Sequence, residues 1–260
     1  YASEIHYSGT LPFEIVYQVL STSLPLVAGE KQSSSPVMKD MISPMENTVY
    51  FLPNSDARQS QIYFYIPMGD YNREENVRRE AFNQYISGGF SGLIMNEIRE
   101  KNSMAYTAYG FASSCGLPGA QTYFSGYIGT QNDKAVDAID LYMKLLTDMP
   151  ERPGRIDNIK SYLRQSALTD HPDSRNLSLR IAEWKRRGYT DDPAKKELPL
   201  IDSLTFPDIV DYYQKNIKGK PIIIGVLGNP KDISIDALKK FGKVIRLNEK
   251  KLFNEKDTMF

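Results

Sequence analysis

Histidine and cysteine are the scarcest reactive residues in this sequence: two His, at positions 6 and 171, and one Cys, at position 115, in 260 residues. A zinc-binding helix needs two histidines one turn apart on one face. His6 and His171 are separated by more than half the chain, so a His-based hydrolytic metal centre within this chain is excluded. A lone Cys excludes an internal disulfide and a thiolate-based structural zinc site. Net charge is also missing. With 32 basic and 32 acidic side chains and a pI near 6.9, the chain as a whole offers no field for nucleic acid or an anionic membrane surface. The longest stretch free of Asp, Glu, Lys and Arg runs from Asn102 to Asn132; it is broken by Cys115-Gly-Leu-Pro-Gly119 and filled with Ser, Thr, Tyr and Gln, so it is no membrane span. The first residues, Tyr1-Ala-Ser-Glu-Ile-His6, carry neither Met nor a basic-then-apolar signal pattern, and the sequence reads as a fragment or a processed product. A bacterial periplasmic or envelope location, the working expectation, would require an upstream signal.

What is present is ordinary for a globular protein: 41% hydrophobic and 25% charged residues, enough for a sizeable core. The length is large for one average domain and small for two. Alternation at 47–52 and 59–68, where Ile62, Phe64 and Ile66 interleave with Tyr63 and Tyr65, predicts two strands. An amphipathic helix is expected over 75–87, stopping at Gly88-Gly89, and a second over 91–101. Strands at 104–113 and 121–129 follow, joined by a Gly116-Leu-Pro-Gly119 turn. Helices are expected near 132–148, 155–169, 176–187 and 206–217. Pro221-Ile-Ile-Ile-Gly-Val-Leu-Gly228 reads as a buried strand, with a helix after it through Phe241.

The beginning of the chain resembles this ending. Ile5-His-Tyr-Ser-Gly9 reads as a strand, and Leu11-Pro-Phe leads into Ile15, Val16, Val19 and Leu20 at helical spacing. The order strand, Gly, Pro turn, helix matches 223–241, as two tandem copies of one domain would. Chance likeness between two strand-to-helix units is the alternative. Residues 28–45, with three consecutive Ser and two Pro, read as a linker.

The passage from Gly88 to Tyr106 is the first place to look for chemistry. Gly88, Gly89 and Gly92 permit close backbone approach, so with Phe90 and Ser91 they form a loop able to present amides to a ligand. A helix cap and tight turn explain the same glycines. Arg99 and Tyr106 stand at a helix end and a strand start; a guanidinium and a phenol together can bind a peptide carbonyl or a developing oxyanion. Most isolated Arg and Tyr spacings belong to solvated faces, and spacing alone leaves both readings open.

The segment Phe82-Asn-Gln-Tyr-Ile-Ser-Gly-Gly-Phe-Ser-Gly-Leu-Ile-Met-Asn-Glu-Ile-Arg-Glu-Lys-Asn-Ser-Met-Ala-Tyr106 resembles the pitrilysin/insulinase-type zinc metallopeptidases, which include the mitochondrial processing peptidases. The resemblance continues through Gly126-Tyr-Ile-Gly129, the helix opening Lys134-Ala and the strand ending Gly-Val-Leu-Gly228. It implies an α+β fold, a mostly antiparallel sheet covered on one face by helices. It also implies a division of the chain: 1–27 as the tail of a preceding sister domain, 28–45 as linker, 46–250 as a complete non-zinc domain and 251–260 as a tail. In that family one domain carries His-x-x-Glu-His and a distal Glu, and its sister supplies an Arg and a Tyr that cross the cavity to the substrate; Arg99 and Tyr106 match that pair. The zinc pattern itself is absent, the equivalent helix reading Glu75-Asn-Val-Arg-Arg79.

The function so implied is the substrate-clamping, metal-free half of a zinc-dependent metallopeptidase. Arg99 and Tyr106 would act as its catalytic contacts and Gly88, Gly89, Phe90, Ser91 and Gly92 as its peptide-recognising loop. Zn²⁺ and the general base would come from a partner domain or subunit, and an extended peptide would be enclosed between the halves. The alternative is a degenerate structural or assembly subunit of the same fold. The remaining candidates read blandly: His6 as a structural or surface residue, His171 as a helix C-cap, Cys115 as a turn residue without a nearby His, and Lys185-Arg-Arg187 as a solvated helix end. The 17 Tyr suit an aromatic wall around a peptide cavity and equally a large core.

Overall fold

Period-two burial organises the sheet. In the strand Gln59–Asp70 (β2), Ile62, Phe64 and Ile66 are buried while Tyr63 is exposed, as alternation requires when one face is covered. A computed structural model describes residues 4–24, 41–170 and 172–252, the side chains of Phe90 and Lys251 aside. With β2 it contains Thr48–Pro53 (β1), Thr107–Ser113 (β3), Gln121–Gln131 (β4), Ile223–Gly228 (β5) and Lys243–Arg246 (β6), in the spatial order β3-β4-β2-β5-β1-β6. β3, β4, β2 and β5 pair antiparallel in turn, whereas β1 lies parallel to β5 and β6. The expected α+β class, with a mostly antiparallel sheet, is therefore present.

The longer helices are, in chain order, Phe13–Ser23 (α1), Asn76–Ser87 (α2), Ala135–Thr147 (α3), Ile156–Thr169 (α4), Leu177–Arg186 (α5), Ala194–Ser203 (α6) and Phe206–Asn216 (α7). One face of the sheet is packed by α2 and α3, and α7 packs on α2 through Tyr212 against Phe82 and Phe206 against Tyr85. Phe64 stacks on Tyr142 of α3 at 4.0 Å between ring centroids, and Phe82 of α2 meets Phe124 of β4 edge-on. The cross-strand pair Gly110 and Gly126 makes room for Tyr142. A Cβ at Gly126 would lie 2.2 Å from its hydroxyl, which donates to the Tyr109 carbonyl at 2.8 Å. The opposite face is aromatic, with Tyr63, Tyr127, Tyr109 and Phe111 in successive ring contact at 5.1, 5.2 and 5.4 Å.

β3 is a margin of the sheet, yet its outer edge is closed. The Asn83 carboxamide accepts from Ala112 N–H at 2.7 Å and donates to Ala112 C=O at 3.1 Å, the two bonds a neighbouring strand would make. Ser87 Oγ accepts from Gly110 N–H at 2.8 Å, and Ala108 is buried. A covered edge of this kind guards against unwanted strand pairing.

Four local expectations change. Residues 4–9 form no strand, because no described strand lies beside them to satisfy their backbone groups. The helix α1 does form, and none of its residues is buried. The expected helix over 91–101 is present from Leu93, after a short turn Gly89–Ser91, but Met95–Lys101 takes π-helical geometry in place of α-helical. Two elements lie outside the sequence expectation: α6, whose internal Pro199 masks it, and the four-residue β6. Between α3 and α6, α4 and α5 lie where periodicity places them. The expected linker lies outside the described residues through position 40; residues 41–45 have no regular structure. Among the described residues no helix is long and apolar enough to cross a membrane.

Candidate functional site

The chain between α2 and β3 is mounted with little freedom. Gly88 N–H closes α2 on Gln84 C=O at 2.9 Å, and Gly89 takes φ +57°, the left-handed conformation that ends the helix. A side chain at Gly88 or Gly92 would run into the backbone of α2, at 2.2 Å from Gln84 O and 2.7 Å from Ser87 Cα. The helix cap and tight turn therefore account for these three glycines.

The π-helical segment then carries Ile98 into the core and Arg99 to the surface. Segments of this geometry carry more residues per turn than an α-helix and recur at functional sites. Glu97 anchors it: its carboxylate pairs with Lys101 at 2.9 Å and with Arg152. Burial alone would raise the Glu97 pKa, but hydrogen bonds from Lys101 and Arg152 outweigh it and hold the carboxyl below its ordinary value.

Ser103, Met104 and Tyr106 are each pinned through the backbone. Ser103 N–H bonds Arg99 C=O and Met104 N–H bonds Ile98 C=O, both at 2.9 Å, with Ser103 at φ +51°. The Thr130 hydroxyl donates to Met104 C=O, Lys134 Nζ donates to Ser103 C=O at 3.2 Å, and Tyr106 N–H donates to Gly129 C=O at 2.9 Å. The result brings Arg99 and Tyr106 to the wall of one open hollow of about 350 Å³, beside Glu100, Gln131 and Lys134. Arg99 Nε lies 3.6 Å from Glu100 Oε1, a half-exposed pair that binds the guanidinium only weakly. Tyr106 is 55% exposed, and its hydroxyl accepts from Gln131 Nε2 at 3.2 Å. Chemically, the hollow offers a permanent cation and a phenol to a carbonyl oxygen.

Residues 88–92 do not line this hollow. Sequence reasoning missed Ser103, Thr130, Gln131 and Lys134 as parts of the site. The end of β4 lies far from Arg99 in sequence, and only strand pairing brings it alongside.

The other candidates are structurally quiet. His6 lies 3.7 Å from the Glu4 carboxylate in an irregular segment. Cys115 is a free, exposed thiol. Arg187 is engaged with Glu183 at 2.5 Å. His171 lies outside the described residues. At the start of α2, Arg79 donates to Asn76 Oδ1 at 2.6 Å and Glu80 Oε1 at 2.7 Å, while Glu75 pairs with Lys215. These carboxylates are committed to cations of the chain itself, so the start of α2 does not fit a divalent ion. Among the described residues no group of three His, Cys, Asp or Glu is placed to hold a metal.

An α+β domain with helices on one face of a mixed sheet, a cationic and phenolic hollow at one sheet end, and no metal donor set on its second helix defines the class. Residues 26–153 match the family described as Peptidase M16 inactive domain. It is 27% identical over 162 residues to an uncharacterized zinc protease of Streptomyces coelicolor, covering 58% of this chain and 33% of the relative. Its fold matches a peptidase M16 inactive domain from Pseudomonas fluorescens, with TM-score 0.60 and 15% identity over 83% of this chain and 50% of the other. It likewise matches a protease from Helicobacter pylori, with TM-score 0.63 and 13% identity over 85% and 54%. The chain thus spans about a third of the curated relative and about half of each solved structure.

Proposed function

We propose that this chain is the substrate-clamping half of a zinc-dependent metallopeptidase, completed by a domain or subunit that brings Zn²⁺ and the general base. The observation that carries the reading is the convergence of Arg99 and Tyr106 on one open hollow, across a connector held by five hydrogen bonds. An extended peptide lies between the halves. Arg99 holds a substrate carbonyl oxygen through charge-assisted hydrogen bonds, and Tyr106 donates to the same or an adjacent carbonyl near the scissile bond. The aromatic sheet face, with Tyr63, Tyr109 and Phe111 exposed, supplies an apolar wall for the peptide, and residues 88–92 form a lip at which it enters. Residues 1–27 belong to a preceding sister domain, the linker occupies 28–45, the clamping domain occupies 46–250 and a tail follows; the exposed apolar side chains of α1 support that division.

The test is made in the assembled enzyme. Arg99→Ala and Tyr106→Phe are each expected to lower turnover by about 10²-fold, the scale for loss of one preorganised donor, with bound zinc unchanged. Full activity in both variants removes the clamp assignment and leaves the structural-subunit reading. Stoichiometric zinc binding or peptide hydrolysis by the isolated chain would overturn the division of labour.

A further inference from the structure

Tyr106 has one proton to give and two lone pairs to fill, and what fills them decides where the proton points. Gln131 is the last residue of β4, and its Nε2 donates to the Tyr106 hydroxyl at 3.2 Å. A donor on the phenol oxygen satisfies an acceptor site and leaves the phenol proton to be directed elsewhere. The neighbouring residues of β4 hold the same segment: Gly129 C=O accepts from Tyr106 N–H at 2.9 Å, and the buried Thr130 donates to Met104 C=O. Three consecutive residues of one strand thus hold the Tyr106 backbone, the Met104 backbone two residues before it and the Tyr106 hydroxyl. Both Gln131 and Tyr106 line the hollow that also holds Arg99.

We propose that Gln131 is the positioning residue that makes Tyr106 a hydrogen-bond donor toward the substrate carbonyl in this hollow. The inference rests on the clamp reading and adds to it a direction for the phenol proton. Hydrogen bonding in series polarises each member, so the bond from Gln131 also strengthens Tyr106 as a donor. An acceptor at position 131 would capture the proton and turn the phenol away from the peptide. The sequence alone hides this, because Gln131 is an exposed polar residue at a strand end.

The test uses the assembled enzyme and three variants, with turnover of a fluorogenic casein-derived peptide measured from pH 4.5 to 8. Gln131→Glu puts a carboxylate acceptor against the phenol. It is expected to lower kcat at pH 7.5 by a factor close to that of Tyr106→Phe, with KM little changed, and to recover as the pH falls and the new carboxyl protonates. Gln131→Met, which neither donates nor accepts strongly, is expected to lose less and to show no such pH recovery. In the Tyr106→Phe background, Gln131→Glu is expected to have no further effect. Normal kcat in Gln131→Glu, or losses that multiply with Tyr106→Phe, would overturn the inference while the Tyr106→Phe single variant still decides the clamp reading separately. Zinc content and the thermal unfolding midpoint of each variant identify a folding failure; should Gln131→Glu fail to fold, Gln131→Met combined with Tyr106→Phe decides the inference by the same non-additivity.

Discussion

Glu97 shows how one side chain can hold a site without touching it. Its carboxylate joins Lys101 on the π-helical segment to Arg152 beyond α3, so the element bearing Arg99 is tied to the body of the domain. Its pKa is depressed in the folded state. A depressed carboxyl contributes stability that is fully present above the unfolded value, near 4.3, and is lost as pH falls through the folded value. Glu97→Gln is therefore expected to lower the urea midpoint at pH 7 and to narrow its difference from the parent between about pH 5 and pH 3. A midpoint difference that stays constant over that window would show that the ion pairs contribute nothing specific. Scarcity makes single residues informative: two distant histidines exclude a His-based zinc centre within the chain by count and spacing alone. Gln131 carries no such signal, because its role depends on a hydroxyl brought to it by strand pairing.

At the scale of elements, the sequence motif Phe82-Asn-Gln-Tyr85 acquires separate physical reasons for its members. Phe82 fills the core, Asn83 closes the edge of β3 with a peptide-like amide, and the Tyr85 hydroxyl donates to Pro150 C=O. Asn83→Ala would leave both polar groups of Ala112 without partners in a buried setting. It is expected to destabilise the domain by about 1–3 kcal/mol and to speed amide exchange at Ala112. Unchanged exchange at Ala112 would mean that the edge is protected by packing alone. Strong alternation makes β2 legible, and amphipathic spacing makes α2, α3, α4 and α7 legible. α6 is hidden because Pro199 reads as a helix breaker, and β6 because four residues carry too short a pattern to separate from a loop. The segment 91–101 reads as an ordinary helix because a π turn differs from an α turn in hydrogen bonding, not in composition.

At the scale of the molecule, α1 stands apart. Phe13 and Tyr17 are 69% and 63% exposed; residues 4–24 meet the body through a hydrogen bond from the Ser8 hydroxyl to Ser174 C=O and along α5, where Glu4 and His6 share a hollow with Leu179 and Ile181. Exposed apolar side chains on a helix whose most covered residues, Val16 and Leu20, are only half-buried suit an element whose packing partner belongs to a sister domain. Deleting residues 1–24 is expected to move the unfolding free energy by no more than about 1 kcal/mol, the range of changes away from the core, and to reduce binding of a hydrophobic dye. A loss of several kcal/mol would make α1 part of this domain and end the proposed division at residue 27. The sequence by itself determined most of the elements and the lack of a His-based zinc donor set, because these follow from local periodicity and from counts of residue types, while the fold class rested on the resemblance carried by Phe82 to Tyr106. Only the tertiary structure decided that Arg99 and Tyr106 share one hollow, that Gln131 meets the phenol and that Asn83 seals β3. Each of these depends on register between strands and on the turn between helix and sheet, which join residues that local pattern cannot relate.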